Sequence, residues 1–141
     1  AAGKRYGIAL VDFKMRSRTP PTREELGALR ELLDRIEYPV LLHCKSGADR
    51  AGLASVLYRV LKEDAPMEEA KLQLSAWYGH FRQADTGVLD CFLEKYIEAT
   101  RLTPMPLFEW IDTVFDCGEL KRAFQARGWA KRVVDGVLRR E

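Results

Sequence analysis

Apolar positions along this chain form two short runs, near the N-terminus and before a His-Cys pair, followed by a series of stripes at helical spacing. Tyr6 to Phe13, Tyr-Gly-Ile-Ala-Leu-Val-Asp-Phe, predicts a strand, and a polar loop punctuated by proline follows it through Pro20-Pro21. Thr22 and Glu25 have capping-box spacing, and Leu26, Leu29, Leu32, Leu33 and Ile36 mark one face of a helix beyond them. Pro39 to His43 is a continuous apolar run suited to a buried parallel strand, completing a strand, crossover helix, strand unit. Leu53, Val56, Leu57, Val60 and Leu61 then repeat at helical spacing. Pro66 suits the first turn of a further helix running to about Tyr78, and Gly79 to Gly87 reads as a polar loop. Val88 to Thr100 predicts a third helix with Leu89, Phe92, Leu93, Tyr96 and Ile97 as its core face. Thr103-Pro104-Met105-Pro106 breaks the pattern, and the remainder reads as two or three short helices.

Composition narrows the class without naming a function. The 141 residues suffice for one domain, and 47% hydrophobic with 31% charged residues is ordinary for a globular chain. A net charge of +2, with bases and acids interleaved, gives no case for nucleic-acid binding. Cys44, Cys91 and Cys117 are odd in number and widely spaced, which argues against a disulfide framework or a paired-cysteine zinc site and for reduced thiols in the cytoplasm. No run of eighteen apolar residues suggests a membrane span, and no signal peptide is visible. Ala1 to Arg5 reads like the middle of a domain, which leaves room for an upstream targeting segment.

The chemistry concentrates in Val40-Leu41-Leu42-His43-Cys44-Lys45-Ser46-Gly47-Ala48-Asp49-Arg50-Ala51-Gly52. A short loop entering a helix N-terminus turns successive amides inward and adds partial positive charge, a setting that fits a phosphoryl dianion. Cys44, in the same field, is favoured as thiolate and becomes a nucleophile. Arg50 offers a planar fork that holds two phosphoryl oxygens, which lysine does not reproduce. Gly47 permits close backbone approach or positive φ. His43 is placed to bond the loop backbone, while Lys45, Ser46, Gly47, Ala48 and Asp49 complete the phosphate-binding segment.

This His-Cys-x-x-Gly-x-x-Arg pattern resembles the Cys-dependent protein tyrosine phosphatase superfamily, and Cys-Lys-Ser-Gly-Ala-Asp-Arg is similar to loops of its dual-specificity and tensin-like branches, including bacterial-type tyrosine phosphatases. The resemblance covers roughly residues 6 to 100. It implies an α/β domain, a parallel-containing sheet flanked by helices, with residues 1–100 as catalytic core and 101–141 as a helical extension packed on it. It also implies hydrolysis of phosphotyrosine, phosphothreonine or a phospholipid head group through a phosphocysteine, without metal or other cofactor. The family's general acid is an Asp on a loop upstream of the Cys. Asp12, separated from Cys44 by one helix and one strand and followed by a Pro-ended loop, is the candidate, with Asp85 as alternative and strand capping as its structural role. The family's N-terminal strands have no counterpart, so the expectation is a fragment, or a sheet completed by a partner chain, homodimer or swapped segment.

Two departures bear on activity. Ala51 stands where the family usually has a Ser or Thr that assists phosphocysteine hydrolysis, which motivates a second reading: a catalytically impaired phosphate-binding scaffold. Lys45 suits an additional anionic group on the substrate or plain solvation, and Asp49 faces outward or pairs with a nearby base. A sulfur-transfer or arsenate-reducing enzyme ranks behind both. Near the expected rim, Arg82 and Gln83 are substrate and water-positioning candidates or members of a solvated loop; Asp90 is a water-positioning residue or a helix cap, and His80 a surface or packing residue. Phe108, Trp110, Ile111, Val114 and Phe115 suit core packing. Trp129, Val133 and Val137, ringed by Lys131, Arg132, Arg139 and Arg140, suit a solvated terminal helix or an anionic membrane surface.

Overall fold

The computed structural model describes residues 2–138, with side chains of the last helix described through Gly128. The helices are α1 (Ala2–Arg5), α2 (Arg23–Arg35), α3 (Asp49–Lys62), α4 (Met67–Ala70), α5 (Val88–Thr100), α6 (Leu107–Thr113) and α7 (Cys117–Leu138). Short 3₁₀ turns occupy Lys71–Gln73, Ala76–Tyr78 and Asp85–Gly87. No helix among the described residues is long and apolar enough to cross a membrane.

The helical stripes bury as their spacing requires. At the start of α2 both capping-box bonds form: the Thr22 amide donates to Glu25 Oε2 at 3.0 Å, and the Glu25 amide donates to Thr22 Oγ1 at 3.1 Å. Leu26, Leu29 and Leu33 of α2 meet Leu53, Val56 and Leu57 of α3 and Leu89, Phe92 and Leu93 of α5 in one core. Removing these leucines from water is the main stabilising term, about 1.5–3 kcal/mol each before entropy is counted. α3 lies centrally, between α2 on one side and α4 with its 3₁₀ extension on the other. The close approach needs Gly52, since a Cβ there would lie 2.9 Å from Leu74 Cδ2 and 3.0 Å from the Gln73 carbonyl oxygen. Leu74, turned in at 5% exposure, is also where the helix expected from Pro66 to Tyr78 unwinds into α4 and two 3₁₀ turns.

Around Trp110 of α6, Phe92 and Phe115 pack with ring centroids at 5.8 and 5.2 Å, and Tyr96 meets its ring at 5.5 Å. Arg23 Nε donates to the Phe115 carbonyl at 3.0 Å, tying the start of α2 to the end of α6. Phe108, Trp110, Ile111 and Phe115 are buried, whereas Val114 is exposed. The side chains of Trp129, Lys131, Arg132, Val133 and Val137, with Arg139 and Arg140, lie outside the described residues.

The expected α/β architecture is overturned: the described residues are helical and contain no strand or sheet. Residues 6–13 and 39–43 are the two segments whose composition suits a strand, and no backbone hydrogen bond joins them among the described residues. Burial explains the outcome. A half-buried strand hides alternate side chains, yet Tyr6, Ile8, Leu10 and Val11 are all exposed, and only Phe13 packs against the core. In the second segment Leu41 is 84% exposed and Leu42 alone reaches the core. Residue type favours strand at both places, but two short segments form at most one isolated pair, which is marginal in water.

Candidate phosphate-binding site

The irregular segment ending at His43 turns through Cys44–Ala48 into α3. Gly47 has φ +74°, a conformation that a Cβ would strain, so a glycine belongs at this point of the loop. Ala48, the N-cap of α3, has no side-chain oxygen and forms no side-chain cap, leaving the first-turn amides to other acceptors. One of them, Ala51 N–H, lies with the amides of Ser46 and Gly47 near Cys44 and favours its thiolate. Burial pushes the half-buried Cys44 thiol up, but these three donors and the nearby Arg50 charge outweigh it and hold the thiol below its ordinary range. Cys91 and Cys117 differ: burial, with no amide cluster to oppose it, raises both. All three cysteines are free thiols.

Lys45 and His43 are exposed, and neither side chain makes a hydrogen bond among the described residues. Ala51 contributes its amide and no hydroxyl. The nearest downstream hydroxyl on the helix, Ser55 Oγ, is already donated to the Ala51 carbonyl at 2.8 Å. Asp12 is exposed, and no hydrogen bond or ion pair connects its side chain to another described residue.

Sequence reading missed the way three dispersed residues join. His80 is 2% exposed and bridges two helix N-termini: Nδ1 lies 2.7 Å from Oδ1 of Asp49, the first residue of α3, and Nε2 lies 2.7 Å from Oδ2 of Asp90 in the first turn of α5. Burial lowers the affinity of the imidazole for its second proton, but the hydrogen bonds and charges of Asp90 and Asp49 outweigh that and raise its pKa. Both ring nitrogens then donate, and both carboxylates also complement the helix dipoles. The main local signal in the sequence is that Gly79 precedes His80; the glycine's φ of +80° turns the chain back beside Ala48, whose Cβ would be 3.8 Å from a Cβ at that position. Arg82, by contrast, is held on α5 by Glu94, at 2.8 Å.

Two shallow depressions of about 320 Å³ each flank the start of α3. One is bordered by Asp49, Phe81, Asp85 and Arg18; the other contains Arg50 beside residues 15–19. Asp12 borders neither. The loop offers a tetrahedral anion backbone amides and the Arg50 guanidinium near a cysteine thiol, while Cys44 itself borders neither depression. Comparison with family models, curated proteins and solved structures finds no match to the chain.

Proposed function

We propose that this chain is a phosphomonoesterase acting through a phosphocysteine. The observation that carries the reading is the Cys44–Ala48 loop, turned at Gly47 with φ +74° into the uncapped N-terminus of α3, with Arg50 in its first turn and the Cys44 thiol held below its ordinary range. Amides placed to hold a thiolate are also placed to hold the equatorial oxygens of a phosphoryl group attacked by it. Cys44 Sγ attacks phosphorus, an S–P bond forms, and the P–O bond to the leaving group breaks. Arg50 follows the charge on the transferring oxygens. Asp12 gives the leaving oxygen its proton; Asp85, which borders the depression containing Asp49, is the alternative donor. Water then attacks the phosphocysteine, its proton returns to the carboxylate, the S–P bond breaks, and inorganic phosphate leaves with the thiolate restored. The substrate classes are phosphotyrosine, phosphothreonine and phospholipid head groups.

A second reading, a phosphate-binding scaffold with little turnover, is favoured by one feature: Ala51 has no hydroxyl to assist thiolate departure, and the Ser55 hydroxyl is engaged elsewhere. Phosphate release from p-nitrophenyl phosphate between pH 5 and 7, comparing wild type with Cys44→Ser, Asp12→Asn and Asp85→Asn, separates the two. Turnover abolished by the cysteine change and reduced by one aspartate change supports the phosphatase. Micromolar vanadate binding without turnover supports the scaffold. Activity retained by Cys44→Ser removes the mechanism.

A further inference from the structure

Residues 15–20 alternate sharply in exposure. Met15 and Pro20 are buried, Ser17 and Thr19 are half-buried, and Arg16 and Arg18 project into solvent. The buried ends pin this short segment, so the two arginines are displayed by an anchored support. Both line the depression that also contains Arg50, with Met15, Ser17 and Thr19 completing its wall.

Three guanidiniums thus share one concavity. Among the described residues none of the three forms an ion pair, whereas Arg59 is paired with Glu63, Arg82 with Glu94, and Arg30 stacks over the Phe108 ring at 4.9 Å. No acid lines this depression, although Arg18 also borders the neighbouring one with Asp49 and Asp85, and an anion among the three arginines would convert their mutual repulsion into charge-assisted hydrogen bonds. The hydroxyls of Ser17 and Thr19 add neutral donors at the same edge. Arg50 also stands beside Cys44, so an anion in this depression is one guanidinium away from the group under attack.

We propose that this depression is a second anion subsite, and that the preferred substrate is a small phosphomonoester bearing a second phosphate. The inference rests on the phosphatase reading for turnover, though not for binding. Arg16 and Arg18 hold the second phosphate, and Arg50 spans both groups. A lipid head group and a free metabolite can each supply this chemistry.

The test compares 1,3-phenylene bisphosphate with phenyl phosphate, both of which release a phenoxide, the first carrying the second phosphate on its ring. In wild type kcat/KM is at least about tenfold higher for the bisphosphate, the worth of one charge-assisted hydrogen bond. In the Arg16→Ala, Arg18→Ala double variant that ratio falls below about threefold. Both arginines are exposed, and an unchanged melting temperature verifies that the variant is folded. Equal kcat/KM for the two esters in wild type, or a ratio that survives the double substitution, overturns the subsite. Calorimetric binding of both esters to Cys44→Ser repeats the comparison without turnover. Preference for the bisphosphate there upholds the subsite even if wild type is inactive, and equal affinities overturn it. A matched bisphosphorylated head group, offered free and in neutral phosphatidylcholine vesicles, assigns the source by whichever form gives the higher kcat/KM.

Discussion

Replacing His80 by Ala tests the bridge between α3 and α5 most directly. The change removes both 2.7 Å hydrogen bonds and leaves Asp49 and Asp90 facing each other without a cation. Charge-assisted bonds contribute about 1.5–3 kcal/mol apiece, which sets a ceiling of about 3–6 kcal/mol for the pair. The aspartate side chains retain 22% and 17% exposure, so water restores part of their solvation, and a net loss of about 2–4 kcal/mol is expected. With an unfolding entropy of about 2.1 cal/mol/K per residue over 141 residues, this lowers Tm by roughly 7–14 °C. The pH dependence gives an independent readout. Folding raises the His80 pKa, so its contribution is whole below the unfolded value of about 6.5 and is lost as pH rises through the folded value. Scanning calorimetry of wild type and variant in buffers of matched ionic strength should show the Tm gap widest near pH 6 and narrowing as the solution becomes alkaline. A variant melting within about 2 °C of wild type, or a gap that grows with pH, would refute the charged bridge.

Iodoacetamide at pH 7 followed by peptide mapping should label Cys44 well ahead of Cys91 and Cys117, because the amide cluster lowers the first thiol while burial raises the others; equal labelling would count against the cradle. Gly47→Ala places a Cβ at φ +74° and should cost about 1–2 kcal/mol in chemical denaturation while slowing Cys44 alkylation, since the loop must shift. Gly87→Ala should be far worse, because its Cβ would fall 2.0 Å from the Arg82 carbonyl oxygen; a soluble variant with wild-type Tm would show that this turn is misplaced. Leu10→Lys and Leu41→Lys should each change stability by less than about 0.5 kcal/mol, since neither side chain is buried; losses of several kcal/mol would mean that these segments are covered in solution.

Much of the helical framework was legible because helices carry their own evidence. Thr22 with Glu25 marks the start of α2, and the face from Leu89 to Ile97 marks α5 with bounds that match the fold at both ends. The strands failed for the opposite reason: a strand depends on a neighbour, and sequence pattern cannot report whether one is present. Tyr6 to Val11 has the right residue types and no partner. The turn into α3 was legible because Gly47, with φ +74°, and Asp49-Arg50 lie within a few residues of one another in the chain. The His80 bridge was not, since Asp49, His80 and Asp90 are brought together only when α3 packs against the turns before α5.

That bridge also bears on how the carboxylate of Asp49 would sit beside a phosphoryl group under the proposed function. Asp49 alone would oppose a phosphoryl group through simple repulsion, and Asp90 would add to it. A protonated His80 between them leaves one net negative charge instead of two, and its Nδ1–H holds Asp49 Oδ1 toward the buried ring while Nε2–H holds Asp90. Arg16, Arg18 and Arg50 border the second depression beside the α3 N-terminus without forming an ion pair among the described residues, and Arg18 also borders the one that holds Asp49 and Asp85. Deprotonating His80 restores the second negative charge and leaves a single N–H donor for the two carboxylates. Phosphate affinity and the stability of the α3–α5 contact should then decline together as pH rises through the His80 pKa, and Asp90→Asn should uncouple them by removing one carboxylate while leaving the Asp49 bond in place.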